Sequence, residues 1–249
     1  MFQEYSKVIA ITGAGTGIGK SCVDLFLENG YKVALLGRRK EVLESAADNR
    51  RNTLVIPCDI SDEAKVAETF SRIETKWSRL DVLFNNAGMA IPASTIDELS
   101  PEKWKNMIDV NLTGTFLCAR ESFRIMRRQR PQGGRIINNG SVSAHVPRPG
   151  SAAYTSTKHA VTGLTRTLSL DGRAFGIACG QIDIGNALTD MTTGMADGVQ
   201  QANHTVMAEP TMDASHVASS VLHMAQLPLD ANVQFMTVMA TGMPYIGRG

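Results

Sequence analysis

The sequence has almost no net charge, few aromatics, few cysteines and no long apolar run. Its 25 basic residues offset 24 acidic ones, leaving a formal charge of +1. That balance supplies no general pull toward nucleic acid or an anionic membrane, so neither is expected as a partner. No apolar run approaches the ~20 residues needed to cross a bilayer. The stretch from Met1 to Lys7 carries no apolar signal segment. Cys22, Cys58, Cys118 and Cys179 stand far apart, with no Cys-x-x-Cys pair. This spacing argues against a disulfide framework and for reduced, mostly buried thiols in a cytoplasmic protein. The five histidines show no metal-ligand spacing, so no metal site is expected. Internal repeats and low-complexity segments are also missing.

What remains is an ordinary globular composition, 43% hydrophobic and 20% charged over 249 residues. That length can bury a full core, and a single domain spanning 1–249 is expected. The apolar runs are short, and helical periodicity alternates with them. From Lys7 to Thr12 the chain reads as a strand buried on both faces. The loop that follows holds Gly13, Gly15, Thr16, Gly17, Ile18 and Gly19, and then a helical pattern runs to Asn29 and Gly30. A strand, a glycine loop and a helix start form the setting in which backbone N–H groups receive a phosphate. Glycine-rich turns also occur where nothing binds, so the motif gains meaning only from its context.

Tyr31 to Gly37 is the second strand, and its end bears on cofactor choice. A carboxylate there would accept from a ribose 2′-OH. This chain has Arg38 and Arg39 instead, two guanidiniums suited to a 2′-phosphate, which points to NADP over NAD. Otherwise they are basic residues opening a solvated helix, a mildly unfavourable place for them. Thr53 to Ile60 gives the third strand. At its end Asp59 either accepts from an adenine amino group or, like Ser61, caps the helix from Asp62 to about Lys76. Leu80 to Gly88 gives the fourth strand, with Asn85, Asn86, Ala87 and Gly88 at its tip. The small residues there would admit a ribose, and Asn85 is at least partly a buried amide satisfying backbone groups.

Ser100 and Pro101 look like an N-cap and a first helical residue, opening one helix that continues toward Met126. Asn111 lies within its apolar face, either as a site residue or as a satisfied core amide. Arg124, Arg127, Arg128 and Arg130 at its end suit the helix dipole. Arg135 to Asn139 is the fifth strand, and Ser141 follows it. A loop rich in Pro and Gly leads to a helix carrying Tyr154 and Lys158, four apart and so on one face. An ammonium beside a phenol stabilises the phenolate, which suits a proton donor working near neutral pH. Gly176 to Ile184 is the sixth strand. Residues 185–212, with Met191, Met195, Met207 and Met212, show little periodicity and read as a mobile substrate lid or as packing against a neighbour. The acids of that segment are Asp190, Asp197 and Glu209, and it has no Lys or Arg. A helix from Asp213 to Gln226 and a last strand from Val233 to Met239 complete the pattern. The tail from Thr241 is apolar enough to pack, in one scenario across a subunit interface.

Strands alternating with helices give an α/β fold, a Rossmann-type doubly wound parallel sheet of about seven strands. Ligands bind such sheets at the carboxyl ends of the strands. The glycine loop, Arg38, Asp59, Asn86 and Ser141 all follow strand ends, so they converge on one rim.

At this point the residues resemble the short-chain dehydrogenase/reductase family. The resemblance rests on Thr12-Gly13-x-x-x-Gly17-Ile18-Gly19, Asp59, Asn85-Asn86-Ala87-Gly88, Asn111, Ser141 and Tyr154-x-x-x-Lys158. It implies an NADP(H)-dependent oxidoreductase that interconverts a carbonyl and a secondary alcohol of a small-molecule substrate. Tyr154 would be the general acid/base. Lys158 would stabilise its phenolate and bind the nicotinamide ribose. Ser141 would hold the substrate oxygen, and Asn111 a water of the proton relay. The cofactor would rest on Gly13, Thr16–Gly19, Arg38, Arg39, Asp59, Ile60, Asn86–Gly88, Gly185 and Thr189. A homodimer or homotetramer is implied as well. The chain departs from the family where Gly180 stands for an Asn and Ile184-Gly185 for a Pro-Gly turn. A cofactor-binding sensor without turnover, or a lyase or epimerase on the same scaffold, are the competing expectations.

Overall fold

The structure is a computed structural model that describes residues 6–189, 192–193 and 198–246. Its frame is one parallel sheet. β1 (Val8–Thr12), β2 (Lys32–Gly37), β3 (Thr53–Pro57), β4 (Val82–Asn85), β5 (Gly134–Asn139) and β6 (Ile177–Gly185) alternate with helices along the chain. The helices are α1 (Gly17–Glu28), α2 (Lys40–Ala47), α3 (Glu63–Trp77), α4 (Pro101–Ile108), α5 (Gly114–Arg128), α6 (Ala152–Asp171) and α7 (Ala214–Gln226). A small antiparallel hairpin, β7 (Val199–Gln200) and β8 (Val206–Met207), precedes α7, and β9 (Phe235–Met239) completes the sheet. The strand order is β3-β2-β1-β4-β5-β6-β9, every neighbour parallel. Order therefore reverses between β1 and β4, which opens a crevice at their carboxyl ends.

Side chains alternate across each strand and so build two cores. On one face Ile9, Ile11, Val33, Leu35, Phe84 and Ile137 pack against Val23 and Phe26 of α1 and Val217 and Val221 of α7. On the other, Val8, Ala10, Ala34, Leu36, Leu83 and Ile136 meet Phe70 and Ile73 of α3 and Leu117 and Ile125 of α5. Burial on both faces explains why the strands read as unbroken apolar runs. Among the described residues no helix is long and apolar enough to cross a membrane, and no cluster suits a metal ion.

Several boundaries differ from the sequence reading. β4 ends at Asn85 because the next two N–H groups, of Asn86 and Ala87, leave the ladder and donate to Thr12 Oγ1, both at 2.9 Å. The expected helix from Ser100 does open as predicted, with Ser100 Oγ accepting from Lys103 N and Pro101 at N1. It is not continuous, however: a π-turn at Asp109–Thr113 separates α4 from α5. Asp59 does not cap α3; Asp62 does, accepting from Lys65 N. The apolar tail packs through Met243 against Val142 and Ala240, whereas Ile246 is exposed.

Candidate active site

A cavity of about 740 Å³ follows the carboxyl ends of the strands from Gly13 to Gln200. At one end lies the glycine loop. Gly13 and Gly17 have φ of +66° and +51°, a region that favours glycine. Gly19 serves packing instead. A Cβ there would sit 2.1 Å from Gly13 O, so its absence lets α1 close on the loop. Thr16 stands at the N-cap without a side-chain capping bond, and the first turn of α1 holds no carboxylate. The leading N–H groups of α1 are thus left for a ligand, and the positive end of the helix dipole favours an anion there.

Beside this loop the rim is stitched by polar side chains. The Asn86 amide donates to Thr12 O at 3.0 Å and accepts from Asn139 Nδ2 at 3.1 Å, tying β1, β4 and β5 together. Asn85 points inward, donating to Thr115 O and Asn138 Oδ1. Its expected role as a buried amide holds, although its Oδ1 has no partner among the described residues. Farther along, Arg38 and Arg39 are exposed and line the cavity with Asp59 and Ile60. Neither guanidinium has a hydrogen bond or ion pair with a described residue. The Ser61 hydroxyl, at 2.7 Å, is the chief cause that holds the Asp59 carboxyl below the usual range, with Arg38 adding to it.

The other end of the cavity is built on β5, its following loop and α6. Ser141 is buried, and its Oγ accepts from Ser143 N at 3.1 Å. That bond leaves the hydroxyl proton free to be donated elsewhere. Behind it, buried Asp183 of β6 accepts from Ser141 N at 3.0 Å, from Gln181 Nε2 at 2.7 Å, and bonds His145 Nε2 at 2.9 Å. Both ends of the short turn that carries Ser141 are therefore fixed to the sheet. Tyr154 is half-buried on the first turn of α6. Lys158 is buried one turn on, its Nζ 5.5 Å from the Tyr154 ring centroid and donating to Asn139 O at 2.8 Å.

Most of the predicted site residues line this one cavity: Gly13, Thr16, Gly17, Ile18, Arg38, Arg39, Asp59, Ile60, Asn86, Ala87, Gly88, Ser141, Tyr154, Lys158 and Thr189. Three do not. Gly19 is spent on packing α1 against Gly13. Gly185 faces Met243, Met239 and Val142, where a Cβ would have no room. Asn111, on the π-turn, uses its side chain as a clip: Oδ1 accepts from Met89 N at 2.8 Å and Nδ2 donates to Met89 O at 2.9 Å. Sequence pattern alone does not single out Thr12, Asn139, Asp183 or Arg148 as parts of the site. Thr12 is signalled only by its place in the glycine motif; the others make their site contacts over 19 residues or more and leave no local trace.

Comparison with known proteins agrees with this geometry. A family model described as short chain dehydrogenase matches residues 7–200. A protein of Mediterraneibacter gnavus named 3beta-hydroxysteroid dehydrogenase is 35% identical over 180 residues, 71% of this chain and 64% of that protein. Among solved structures, the closed form of a serine dehydrogenase complexed with NADP+ superposes with a TM-score of 0.86 at 27% identity, covering 97% of this chain and 98% of the other. A 3-ketoacyl-(acyl-carrier-protein) reductase from Brucella melitensis complexed with NADH gives 0.84 at 25% identity, covering 93% and 96%. With its reversed strand order, glycine loop and the extent of that family match, this chain is an oxidoreductase of the short-chain dehydrogenase/reductase family.

Proposed function

We propose that the chain is an NADP(H)-dependent oxidoreductase interconverting a carbonyl and a secondary alcohol, with Tyr154 as general acid/base. The observation that carries this reading is the meeting of Ser141, Tyr154 and Lys158 at one end of a cavity whose other end is the glycine loop. The residues present fit a dinucleotide. The uncapped α1 N-terminus would receive the pyrophosphate, Asp59 and Ile60 the adenine, and Arg38 and Arg39 the 2′-phosphate. The preference for NADP over NAD rests on those two guanidiniums, neither of which has a hydrogen bond or ion pair with a described residue. The NADP+ complex of the serine dehydrogenase supports it; the NADH complex of the ketoacyl reductase shows that the fold alone does not decide.

Bound nicotinamide would supply or accept the hydride. The chain's own residues do the rest. Ser141 Oγ and Tyr154 Oη both donate to the substrate oxygen and stabilise charge developing on it. Tyr154 passes its proton to that oxygen or removes it, and the Lys158 ammonium stabilises the phenolate. Lys158 is held by Asn139 O, so its charge is fixed in place. Asn111 positions the Met89 backbone beside Gly88 through its two bonds; a water in the relay to Lys158 would meet the π-turn's backbone and not this amide. We further propose that residues 1–249 act as one domain and that residues 185–212 close over the substrate. In this reading the protein works in the cytoplasm as a homodimer or homotetramer. Of the lid's expected residues, Asp190, Met191, Met195 and Asp197 lie outside the described residues.

Replacing Tyr154 by Phe tests the mechanism. A positioned acid contributes ~10²–10⁴ in rate, so turnover of a carbonyl panel should fall by about that factor while NADPH still binds, and binds tighter than NADH. Near-normal turnover in the variant would refute the role of Tyr154.

A further inference from the structure

One row of side chains on β6 changes character along the strand. Ile177 and Cys179 are core residues. Gln181 and Asp183 continue the same row toward the carboxyl end, because side chains two apart share a face. Both are fully buried, and neither lines the cavity. A buried carboxylate is costly unless donors surround it. Asp183 has such donors, and their bonds lead to the two elements that carry Ser141 and Tyr154.

Toward the turn after β5, Asp183 Oδ1 accepts from Ser141 N at 3.0 Å, and Oδ2 bonds His145 Nε2 at 2.9 Å. Gly140 permits this approach, since a Cβ there would sit 2.0 Å from Asp183 Oδ1. Toward α6, Asp183 Oδ1 accepts from Gln181 Nε2 at 2.7 Å. The Gln181 amide also donates to Thr162 Oγ1 at 2.9 Å and accepts from Thr165 Oγ1 at 3.0 Å. Thr162 and Thr165 stand on α6, one and two turns beyond Lys158. A continuous buried chain of hydrogen bonds thus joins the Ser141 turn to the helix that holds Tyr154.

We propose that Asp183 is a positioning residue that fixes Ser141 Oγ relative to Tyr154 Oη, with Gln181 as its link to α6 and His145 as its clamp on the outer side. This rests on the carbonyl–alcohol reaction proposed at Ser141 and Tyr154. Both hydroxyls donate to one substrate oxygen, so their separation is itself a property of the site. A misplacement of about 1 Å can cost ~10²-fold in rate. Asp183 touches neither substrate nor cofactor; its effect on turnover passes through Ser141.

The test is a double-mutant cycle on the full-length protein, with NADPH and a panel of α-diketones, cyclic ketones and aryl ketones. Asp183→Ala should lower kcat about ten-fold or more, and by no more than Ser141→Ala does, while the NADPH Kd stays within about two-fold. Added to Ser141→Ala, it should change kcat by less than about two-fold, since the donor that it positions is already gone. Asp183→Asn should restore turnover to within about three-fold of the parent: its Oδ1 can still accept from Ser141 N, and its Nδ2 can donate to the other tautomer of His145. Equal falls in kcat with and without the Ser141 hydroxyl overturn the proposal, as does an NADPH Kd that weakens in step with kcat; both mark general damage to the fold. An Asp183→Ala variant as active as the parent overturns it as well. Should that variant not fold, His145→Ala, at an exposed position, goes through the same cycle. A several-fold fall is then expected with Ser141 present and none without it, and equal falls again overturn the proposal. A parent that binds NADPH but turns over no member of the panel would sink the reading of Ser141 and Tyr154, and this proposal with it.

Discussion

A methyl group added at Gly19 and the same group added at Gly163 should have opposite effects. Both are helical positions, Gly19 in the first turn of α1 and Gly163 inside α6. At Gly163 nothing lies within 4 Å of the new Cβ. Alanine there should stabilise the fold by about 0.5–1 kcal/mol, because glycine loses more backbone freedom on entering a helix. At Gly19 the Cβ would lie 2.1 Å from Gly13 O, 2.8 Å from Gly13 C and 2.9 Å from Asn86 Nδ2. Two of those atoms are backbone, and the third is tied to Thr12 O. The start of α1 would therefore have to retreat by about 1 Å, an overpacking cost of ~1–3 kcal/mol that the helix propensity gain offsets only in part. The net is a loss of about 1–2 kcal/mol, or roughly 2–8 °C in Tm for a chain of this size. The same retreat moves the Gly17–Gly19 N–H groups from the phosphate position, so NADPH affinity should fall about ten-fold, equivalent to ~1.4 kcal/mol. Urea unfolding and NADPH titration of both variants provide the readout. If Gly19→Ala were as stable as the parent and bound NADPH equally well, the packing argument would be wrong. If Gly163→Ala were destabilising, a neighbouring subunit would have to occupy the space over that face of α6.

Buried and half-buried charge supports two more tests. Arg135 on β5 is fully buried and donates to Asn232 Oδ1, Leu227 O, Pro228 O and Ala231 O at 2.8–3.2 Å, organising the turn after α7 without a carboxylate partner among the described residues; burial pulls its pKa down. Arg135→Met should cost ~2–4 kcal/mol, since several carbonyls lose a charged donor at once, and a midpoint within error of the parent in urea would contradict this. Asp59 is held below the usual carboxylate range, chiefly by the Ser61 hydroxyl. Its contribution to stability is thus complete above the unfolded-state value of about 4 and is lost as pH falls through the depressed folded value. Ser61→Ala should raise that folded value toward the ordinary one and shrink the contribution, which an NMR titration of the Asp59 carboxyl would show; an unchanged titration would remove Ser61 as the cause.

The sheet and most of the cavity wall were legible in the sequence because their signals are local. A strand buried on both faces is a run of adjacent apolar residues, and Gly13, Gly17 and Tyr154-x-x-x-Lys158 are short motifs at strand or helix ends. The π-turn was not legible, since the apolar periodicity from Trp104 to Leu117 runs through it and only backbone hydrogen bonding marks the slip. Asn111 could be read as a site residue or a core amide, and its partner, Met89, lies 22 residues away. Arg148 and Glu209, 61 residues apart, were visible as charges but not as a pair. Pro-rich loop and irregular segment meet only after the chain has folded, so no spacing rule connects them.

The π-turn at Asp109–Thr113 carries a consequence for how this chain can vary in length. A π-turn is one residue more than an α-helix needs, and each residue turns the helix by about 100°. Deleting a single residue between Asp109 and Thr113 would let α4 and α5 merge into a regular helix. The wide turn absorbs that extra residue locally, so α5 would keep its register and Leu117, Cys118 and Ile125 would stay in the core they now fill. A one-residue deletion there should therefore leave the packing of α5 intact and cost mainly the Asn111 clip on Met89, whereas an insertion, which would turn α5 by about 100°, should be as damaging as removal of a strand.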